Sequence, residues 1–371
     1  MRILHVYKQY TPTRGGGITA AQSIIEGLRG RVESTVLAAT HRGFGDRLRI
    51  NGTDVHKVFS VGYFNSMPLA PTLPLWVHIH ARQADIIHIH LPFPIADVAV
   101  NLWKLRIPVV LHWHSEIVQQ RIMKKLLRPM LSRTLRRAHA IIVGSPRHTE
   151  FCDDLAPFLE KCRVIPYGID LQFWQNPSEA TQREIDTLRA RYPRMVLFTG
   201  RLVAYKGLRY LLEAMTRNDA DLVIIGDGPL SNALRAQADS LGIERRVHLL
   251  GEVSDSTLMA FYHACKVFVL PSIWPNEAFG LCQLEAMACR TPIVNTHLST
   301  GVPWVARDGL EALTVATENS VELANAINRI LDTPEIAAAL AARGLDRVQS
   351  KFDRKHTNER IFGLYTELAN I

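Results

Sequence analysis

The chain has 371 residues, of which 47% are hydrophobic and 21% charged, so it is not a disordered protein and its length favours two domains. Its net charge of +8 is uneven, because residues 1–165 carry 22 Lys and Arg against 11 Asp and Glu, whereas residues 166–371 carry 21 against 24. The basic half predicts an anionic partner, and the absence of a long apolar run and of a signal-peptide core predicts a cytoplasmic protein.

The first half of the chain alternates short apolar runs with helical patterns. Continuous apolar strands between helices indicate a parallel sheet that is covered on both faces. The strands are predicted at 2–7, 34–39, 55–59, 85–90, 108–113 and 140–143, and the helices at 19–29, 73–82, 95–105 and 117–136. Pro129 predicts that the last of these helices is two shorter ones.

Three glycines follow the first predicted strand. Gly15, Gly16 and Gly17 in TPTRGGGITAAQ, 11–22, allow close approach of a ligand to the backbone, and the helix that follows offers free N–H groups to an anion. The pattern differs from the dinucleotide-binding motif G-x-G-x-x-G. We interpret the segment either as part of a phosphate site or as a structural turn.

Histidines alternate at the ends of two predicted strands. His88 and His90 occur in DIIHIHLP, and His112 and His114 occur in VVLHWHSE, so each pair lies on one face of its strand. A metal site is one interpretation, but no Asp, Glu or Cys cluster nearby completes a ligand set, and no metal is predicted. His90 and His114 come last in their strands and are expected at the ligand-binding edge, His114 being the stronger functional candidate. His88 and His112 are interpreted as core residues with satisfied hydrogen bonds.

A strongly basic segment follows. Residues 121–140 hold seven Lys and Arg, and no acid occurs between Glu116 and Glu150. Apolar residues recur among them at helical spacing, which is typical of a helix on an anionic membrane and equally of a core-packed helix with a solvated back. Nucleic acid is not expected as a partner, because the segment lacks aromatic residues for stacking. The expected membrane-docking residues are Arg121, Lys124, Lys125, Arg128, Arg133, Arg136 and Arg137.

The second half repeats the strand–helix alternation after VIPYGIDLQFWQNPSEA, 164–180, whose Pro and Gly residues indicate a hinge. We therefore predict two doubly wound α/β domains, one of residues 1–165 with a C-terminal helix at about 353–371 and one of residues 166–352. In such sheets ligands bind beyond the carboxyl ends of the strands. The strands are predicted at 195–200, 221–226, 246–251, 267–271 and 291–296, and the helices at 207–217, 229–241, 255–264, 280–289, 319–331 and 353–368.

Two motifs of the second half place charges at these strand ends. In GRLVAYKG, 200–207, Arg201 and Lys206 follow a strand, where two cations beside a helix start can neutralise a diphosphate. In NEAFGLCQLE, 276–285, Glu277 lies in a loop and Glu285 in an apolar helix. Carboxylates there can accept hydrogen bonds from the vicinal hydroxyls of a sugar or a ribose. The alternative interpretations are solvated loop charges for the two cations and a helix-dipole partner for Glu277.

These motifs together resemble glycosyltransferase family 4, whose members are retaining enzymes of the GT-B fold, with two tandem Rossmann-like domains and an interdomain cleft. The resemblance covers nearly the whole chain and includes LHVYKQYTPTRGGG, DIIHIHLP, IGDGPL, RVIPYGID and AMACRTPIVNT. Within the family, LHVYK, LHWHSE and NTHLSTGVPWVARDG look like the subgroup that makes bacterial exopolysaccharide or O-antigen. Many of those enzymes use GDP-mannose and a polyprenyl-diphosphate-linked acceptor, so the resemblance implies a peripheral protein at the inner face of the cell membrane.

The resemblance also implies roles for particular residues. Arg201 and Lys206 would bind the donor diphosphate, Glu277 the hydroxyls of the donor sugar and Glu285 the ribose. His114 would lie near the donor sugar and act with Arg201, Lys206 and Glu277 as the catalytic set. The family usually needs no metal, and no other cofactor is implied. The expected donor-binding set is completed by Gly16, Gly17, Gly251, Val253, Ala278, Phe279, Gly280 and Leu281.

The implied reaction is attack by an acceptor hydroxyl on the face that the diphosphate leaves, and a double displacement through Glu277 stays open as the alternative. Relatives often have Gly where Arg290 stands, and D-G-x-T-G where this chain has Asp308-Gly309-Leu310-Glu311-Ala312. Both departures bear on the identity of the donor and not on the fold. The alternative functions are a UDP-sugar transferase, a sugar-nucleotide epimerase and a non-catalytic nucleotide-sugar binder.

Overall fold

The structure is a computed structural model that describes residues 1–11, 15–64, 67–103, 105–115 and 121–370, with the backbone alone for 121–124. Packing divides the chain into a first unit, Met1–Gly168 with Arg354–Ile371, and a second unit, Ile169–Asp353. The sequence predicts these two boundaries after residues 165 and 352.

Strands and helices alternate along both units, as expected for α/β domains. The strands are β1 (Arg2–Val6), β2 (Glu33–Ala39), β3 (Asp46–Ile50), β4 (Thr53–Val58), β5 (Tyr63–Phe64), β6 (Met67–Pro68), β7 (Ile86–Leu91), β8 (Val109–Trp113), β9 (Ala140–Val143), β10 (Cys162–Val164), β11 (Met195–Thr199), β12 (Asp221–Ile225), β13 (Val247–Gly251), β14 (Val267–Leu270), β15 (Ile293–Thr296) and β16 (Ala312–Val315). The helices are α1 (Gly16–Gly27), α2 (Leu73–Ala81), α3 (Pro94–Leu102), α4 (Arg121–Arg137), α5 (Pro146–Phe151), α6 (Leu171–Gln175), α7 (Glu179–Arg191), α8 (Leu208–Met215), α9 (Ser231–Ser240), α10 (Asp255–Ala264), α11 (Leu281–Ala288), α12 (Val302–Val305), α13 (Ser320–Asp332), α14 (Pro334–Lys351) and α15 (Arg354–Ala369).

The first unit is built on an eight-stranded sheet in the order β10-β9-β8-β7-β1-β2-β4-β3, parallel except for the edge strand β3. Alternate residues of the central strands face opposite layers. One face packs against α2, α3 and α4, and the other is covered by α1 and α15, where Ile361, Leu364 and Tyr365 are buried against the sheet. Each fully buried apolar side chain of this kind contributes about 1.5–3 kcal/mol.

The second unit is built on a six-stranded parallel sheet in the order β13-β12-β11-β14-β15-β16. The chain winds outward from β11 through β12 to β13 and then returns to the other side of β11 with β14. The order therefore reverses between β11 and β14, and open α/β sheets bind their ligands beyond the carboxyl ends of the strands at such a reversal. The two doubly wound sheets confirm the predicted fold class.

The prediction that Pro129 divides the basic helix is wrong for the described residues, because α4 runs without a break from Arg121 to Arg137. Proline removes one backbone hydrogen bond and disfavours the turn before it, but packing on both sides can offset that cost. Leu131 and Leu135 pack into the core, and Thr134 is hydrogen-bonded to Asn101 of α3.

The sequence analysis also missed elements that are not apolar. Strand β3, DRLRI, is exposed along most of its length, so it lacks the apolar run of the inner strands. The charges suit an edge strand, because they oppose pairing with another chain. Helices α7 and α14 were missed as well. No helix among the described parts of the chain is both long and apolar enough to cross a bilayer.

Candidate active site

An ion pair lies at the strand-order reversal of the second unit. Lys206 ends a 3₁₀ turn, Ala204–Lys206, that follows β11, and Glu277 lies in the loop after β14. The Lys206 ammonium donates to Glu277 Oε2 at 2.5 Å, and Ser272 Oγ donates to the same oxygen at 3.2 Å. Both charged residues are buried, with 7% and 9% of their surfaces exposed. Burial disfavours the charged lysine, but the attraction of Glu277 more than offsets this effect and raises the pKa of Lys206.

Glu285 is held by a tyrosine that the sequence analysis did not single out. Tyr262, in α10, donates its phenolic hydrogen to Glu285 Oε2 at 2.8 Å, and its oxygen lies 2.7 Å from Thr199 Oγ1 at the end of β11. Burial raises the pKa of the Glu285 carboxyl to about 7. This carboxyl can therefore change its charge near neutral pH. No sequence pattern linked position 262 to position 285, because the contact joins two different helices.

The loop between the two glutamates depends on a glycine. Gly280 precedes α11 with φ of 76°, a left-handed conformation that favours glycine. A Cβ atom there would also lie 2.8 Å from Gln283 Nε2 and from a methyl carbon of Leu270. Ala278 and Phe279 are buried, and Leu281 is half-buried at the start of the helix. This tight turn sets the path of the chain between the loop that holds Glu277 and the helix that holds Glu285.

The remaining predicted donor residues of the second unit also follow carboxyl ends of strands. Arg201 follows β11, is exposed, and takes part in none of the ion pairs among the residues that the structure describes. Gly251 ends β13, and Val253 is half-buried two residues later. Lys206 and Glu277 are in direct contact, and the charge of Lys206 also acts on Glu285, where it opposes the rise in pKa that burial causes.

In the first unit, the structure brings Gly17 and His114 together. Gly16 begins α1, and a side chain at position 17 would overlap the hydroxyl of Tyr7, which follows β1. A Cβ atom at position 17 would lie 3.8 Å from the His114 ring. The ring centroids of Tyr7 and His114 are 5.6 Å apart. The glycine at position 17 therefore allows α1 to approach the strand end at which His114 lies.

His114 belongs to a row of hydrogen-bonded imidazoles. Its Nδ1 lies 2.7 Å from the Tyr167 hydroxyl, its Nε2 lies 2.9 Å from His90 Nδ1, and His90 Nε2 lies 3.3 Å from His5 Nδ1. His88 Nδ1 lies 2.5 Å from the hydroxyl of Tyr365 in α15. The strand register explains the row, since His5 of β1 is beside His88 of β7. His5 and Tyr167 carry no sequence signal for this row, because the contacts join segments that are far apart along the chain.

Burial keeps these histidines neutral. Burial lowers the pKa of His5 and His114 to about 3. It is also the largest of the effects that lower the pKa of the other three, His88, His90 and His112, well below 6.5. Neutral imidazoles are the form that binds metals. Two sets, His5 with His88 and His90, and His90 with His112 and His114, place ligand atoms within 4.8 Å of one another and could hold a metal ion.

The prediction that His88 and His112 are satisfied core residues is wrong in part. Both are buried, but His88 Nε2 and both ring nitrogens of His112 have no hydrogen-bond partner among the described residues. Neighbouring parallel strands place these rings side by side, with the ring centroids of His88 and His112 5.4 Å apart. The two rings are surrounded mainly by other aromatic rings, so few oxygen atoms lie close enough to form hydrogen bonds with their ring nitrogens.

The cations of the basic helix α4 are of two kinds, some exposed to solvent and one hydrogen-bonded to α3. Lys125, Arg133 and Arg136 are exposed. Arg137 instead donates to the carbonyl oxygens of Val100 and Trp103, at 2.5 and 3.1 Å, and so ties α4 to α3. This contact contradicts a solvent-facing role for Arg137. The side chains of Arg121 and Lys124 lie outside the described residues.

Arg128 of α4 is exposed but forms an ion pair with Asp154 at 3.1 Å. Leu126, which lies among these cations, has 73% of its surface exposed. The exposed cations and this leucine form one basic and partly apolar surface of the helix.

Comparisons with known proteins place each half of the chain in a described family. A model of glycosyl transferases group 1 matches residues 182–347, and a model of glycosyltransferase family 4 matches residues 14–173. D-rhamnosyltransferase WbpZ of Pseudomonas aeruginosa is 31% identical over 95% of this chain and 92% of its own length. O-antigen chain mannosyltransferase C of Escherichia coli is 27% identical over 99% of each chain.

Two solved structures share the fold across the whole chain. Sucrose-phosphate synthase of Thermosynechococcus elongatus superposes with a TM-score of 0.85 at 22% identity, over 99% of this chain and 98% of its own. HepE of Anabaena in complex with UDP-glucose superposes with a TM-score of 0.81 at 22% identity, over 99% of this chain and 100% of its own. At this identity the likeness shows the fold alone.

Proposed function

This chain belongs to glycosyltransferase family 4 and has the GT-B fold, and we propose that it transfers a hexose from a nucleotide sugar to a polyprenyl-diphosphate-linked saccharide in surface-polysaccharide synthesis. The donor that we assign is GDP-mannose. The names of two relatives, a D-rhamnosyltransferase and an O-antigen mannosyltransferase, support a deoxyhexose or hexose donor. The observation that carries the proposal is the contact between Lys206 and Glu277 at the strand-order reversal of the second unit.

The two members of this pair suit the two ends of an activated sugar. When a nucleoside diphosphate leaves the anomeric carbon, negative charge grows on its phosphates, and fixed cations there are worth several kcal/mol. Lys206 and the exposed Arg201 supply those cations. A donor would bind by exchange, because its diphosphate takes over Lys206 while a sugar hydroxyl donates to Glu277 in place of the ammonium. The ligand-free pair thus keeps both charges neutralised until the donor arrives.

The neighbouring residues complete the donor site in this proposal. Glu285, held by Tyr262, accepts the hydroxyls of the ribose. The backbone near Gly251 and Val253 faces the base, and the chain from Ala278 to Leu281 contacts the sugar and the phosphates. In the first unit, His114 is held neutral, and we assign it a hydrogen bond to a substrate hydroxyl in exchange for the one to Tyr167.

The reaction that we propose retains the anomeric configuration and uses no metal. An acceptor hydroxyl attacks the anomeric carbon on the side from which the diphosphate departs, and its proton passes to the leaving phosphate oxygen. Glu277 is a poor nucleophile in this proposal, because with the donor bound a sugar hydroxyl and Ser272 Oγ both donate hydrogen bonds to its carboxylate. This engagement supports the front-face route over a double displacement through Glu277.

We place the enzyme at the inner face of the cell membrane. Lys125, Arg133 and Arg136 are exposed on α4 together with Leu126. A cation near an anionic bilayer surface contributes about 1 kcal/mol to binding, and an adjacent leucine can enter the interface. These features support α4 as the docking helix, with a lipid-linked acceptor presented from the same membrane.

A thermal-shift panel tests the donor assignment. GDP, UDP, ADP and their sugars are added to the wild-type protein and to Lys206→Ala. A ligand that binds only the folded state at 100 times its Kd stabilises by about 2.7 kcal/mol. We expect GDP and GDP-mannose to give the largest increase in Tm for the wild type and little for the variant. A preference for UDP would move the assignment to a UDP-sugar transferase, and no response to any nucleotide would contradict a nucleotide-sugar site.

A further inference from the structure

A pocket opens at the carboxyl edge of the first unit's sheet, on the face opposite the histidine row. Pro92 follows β7 and Trp113 ends β8, while Leu127 and Leu131 of α4 form the facing wall. Its interior volume is about 20 Å³, which accommodates one group of the size of a water molecule or a hydroxyl below the open mouth. Trp113 alternates with His112 and His114 along β8, so its indole points to the side of α3 and α4. The carboxyl edge of a parallel sheet is where α/β domains bind ligands.

Two buried polar atoms of this pocket lack partners. Trp113 Nε1 and Asp97 Oδ1 have no hydrogen-bond partner among the described residues, although the two residues are only 3% and 4% exposed. Both residues line the same pocket. A buried hydrogen-bond donor or acceptor without a partner lowers the stability of the fold by about 1–3 kcal/mol. An unpaired donor and an unpaired acceptor that line the same cavity therefore indicate that a bound group supplies their partners.

The surroundings of Asp97 favour an uncharged partner. Asp97 lies in the first turn of α3, the Thr134 hydroxyl bonds its carboxyl group, and burial raises its pKa to about 7. Asp154 at the same pocket is also buried and pairs with Arg128, whose side chain is 61% exposed. The two carboxyl groups, Asp97 and Asp154, disfavour a phosphate because they repel its negative charge. An isoprenoid chain has no atom that can hydrogen-bond to the unpaired Trp113 N–H or Asp97 oxygen.

We propose that this pocket binds a hydroxyl group of the acceptor's saccharide, which accepts from Trp113 Nε1–H and donates to Asp97 Oδ1. One hydroxyl supplies both missing partners, since its oxygen accepts while its hydrogen donates. The half-buried prolines at the mouth, Pro92 and Pro94, offer apolar surface to the C–H groups of the pyranose ring that carries this hydroxyl. The inference rests on the proposed function, because it assigns part of that reaction's acceptor site.

The pocket then distinguishes acceptors by the presence of one hydroxyl. A site built to hydrogen-bond a hydroxyl rejects an analogue that lacks it far more strongly than an apolar pocket rejects a small change in size, because its buried polar groups are left unpaired. Asp97 and Trp113 are thereby assigned as specificity-determining residues of the first unit.

Binding of soluble probes to the full chain tests this assignment. Methyl glycosides of mannose, glucose, galactose and N-acetylglucosamine are titrated against wild-type protein by saturation-transfer NMR, with geranyl diphosphate as the lipid arm. The variants are Asp97→Leu, which is close in size and has no polar atom in its side chain, and Trp113→Phe, which lacks the N–H. Trp103→Phe is the matched control, because Trp103 Nε1 already donates to the Pro74 carbonyl at 2.9 Å.

We expect at least one glycoside to bind the wild type and Trp103→Phe, with its Kd raised about tenfold in Asp97→Leu and in Trp113→Phe, which corresponds to one hydrogen bond of about 1.4 kcal/mol. Response to geranyl diphosphate alone, absence of any glycoside binding, or unchanged affinity in both variants would each overturn the proposal.

A measurement on the wild type keeps the test decisive if a variant fails to fold. The indole N–H resonance of Trp113, one of six tryptophans, should shift on addition of the bound glycoside, while that of Trp103 stays in place. A Trp113 resonance that does not move would contradict the assignment. Because the glycosides are added without nucleotide, failure here is distinguishable from failure of the nucleotide panel, which reports on the second unit alone.

Discussion

The two units place candidate site residues at the carboxyl edge of a parallel sheet but keep their buried polar groups stable in different ways. In the second unit, opposite charges meet, and Lys206 and Glu277 neutralise each other. In the first unit, the groups around His114 are imidazoles that stay uncharged and bond one another and nearby tyrosines. Twelve of the fifteen histidines lie in the first unit. The stability of the second unit is therefore sensitive to the loss of Lys206 or Glu277, whereas that of the first unit is sensitive to protonation of its histidines.

The largest effect is expected from breaking the ion pair. Lys206→Ala should reduce turnover by at least about 10²–10³-fold, since it removes a cation from the departing diphosphate. It should also cost about 3–5 kcal/mol of stability, because Glu277 is left buried without its partner. Initial rates with GDP-mannose and urea unfolding curves measure the two effects.

The double variant Lys206→Met with Glu277→Gln is the matched control. It should recover most of the lost stability, because no unpaired charge stays buried, while its turnover stays low. A double variant that is as unstable as Lys206→Ala would show that the loss has another cause than the unpaired charge.

Acid should affect the first unit before the second. The folded-state pKa values of His5 and His114 are lowered to about 3, whereas an unfolded histidine titrates near 6.5. Below pH 6.5 the unfolded state binds protons that the folded state excludes, so stability falls as the pH falls from 6.5 toward 3. Each such histidine contributes about 1.4 kcal/mol per pH unit in this window.

Hydrogen exchange followed by mass spectrometry separates the two units at pH 7.5 and pH 5.5. The raised pKa of Lys206 gives stability that is lost only at high pH, and the raised pKa of Glu285 makes acid slightly favourable there. Protection should therefore fall further in residues 1–168, which hold several buried histidines with lowered pKa values, than in residues 169–353, where burial lowers the pKa of His263. The raised pKa of Asp97 offsets only part of the fall in the first unit. Equal loss in both units would show that the buried histidines do not set the acid sensitivity.

The membrane surface belongs to the first unit alone in this account. Lys125, Arg133 and Arg136 replaced together by Glu should abolish sedimentation with vesicles of 30% phosphatidylserine at low salt, since each lost cation removes about 1 kcal/mol. Nucleotide-induced shifts in Tm should stay unchanged. Replacing Arg217, Arg235 and Arg245, which are exposed in the second unit, is the matched control. Unchanged sedimentation of the first variant would remove α4 as the docking helix.

A smaller effect concerns Glu285, whose pKa is raised to about 7 by burial, so that its charge changes near neutral pH. Only the carboxylate accepts from both hydroxyls of a ribose, so the affinity for GDP-mannose should rise several-fold between pH 6 and pH 8. Isothermal titration at the two pH values measures this rise. In Glu285→Gln the rise should disappear, and an identical rise in that variant would assign the titration to another group.

The smallest effect is expected at Arg290, the position where relatives often carry glycine. Arg290 is exposed, has φ of 57°, and follows Cys289, the C-cap of α11. A side chain in this left-handed conformation is strained, so Arg290→Gly should gain about 0.5–1 kcal/mol in urea unfolding without changing nucleotide affinity. Arg290→Ala keeps a Cβ and should gain nothing. A change in nucleotide affinity would instead place Arg290 in the donor pocket.

The other departure from the family motif has a structural explanation. Glu311 is buried and pairs with Arg307 at 2.5 Å, within reach of Arg347 at 3.9 Å. Burial alone would raise the pKa of Glu311, but the hydrogen bonds from Arg307 outweigh that effect and lower it. This glutamate holds its own loop, so its role is accounted for without a ligand.

The sequence predicted those parts of the candidate site that a single segment encodes. Gly280 and Glu285 lie close along the chain, and the strand before Lys206 is an apolar run, so spacing located them. Contacts between distant strands and helices could not be read in this way. Tyr262 reaches Glu285 from another helix, and Asp97 was missed because a lone acid near a helix start has no pattern that marks it as buried.

The central claim is that Lys206 and Glu277 part to hold a nucleotide sugar by its two ends, and calorimetric titration of Glu277→Gln with GDP and GDP-mannose tests it most directly. We predict that the variant keeps or gains affinity for GDP, because Lys206 is released from its partner, and loses the preference for GDP-mannose over GDP that the wild type shows. A variant that keeps this preference, or that loses GDP binding, would contradict the claim.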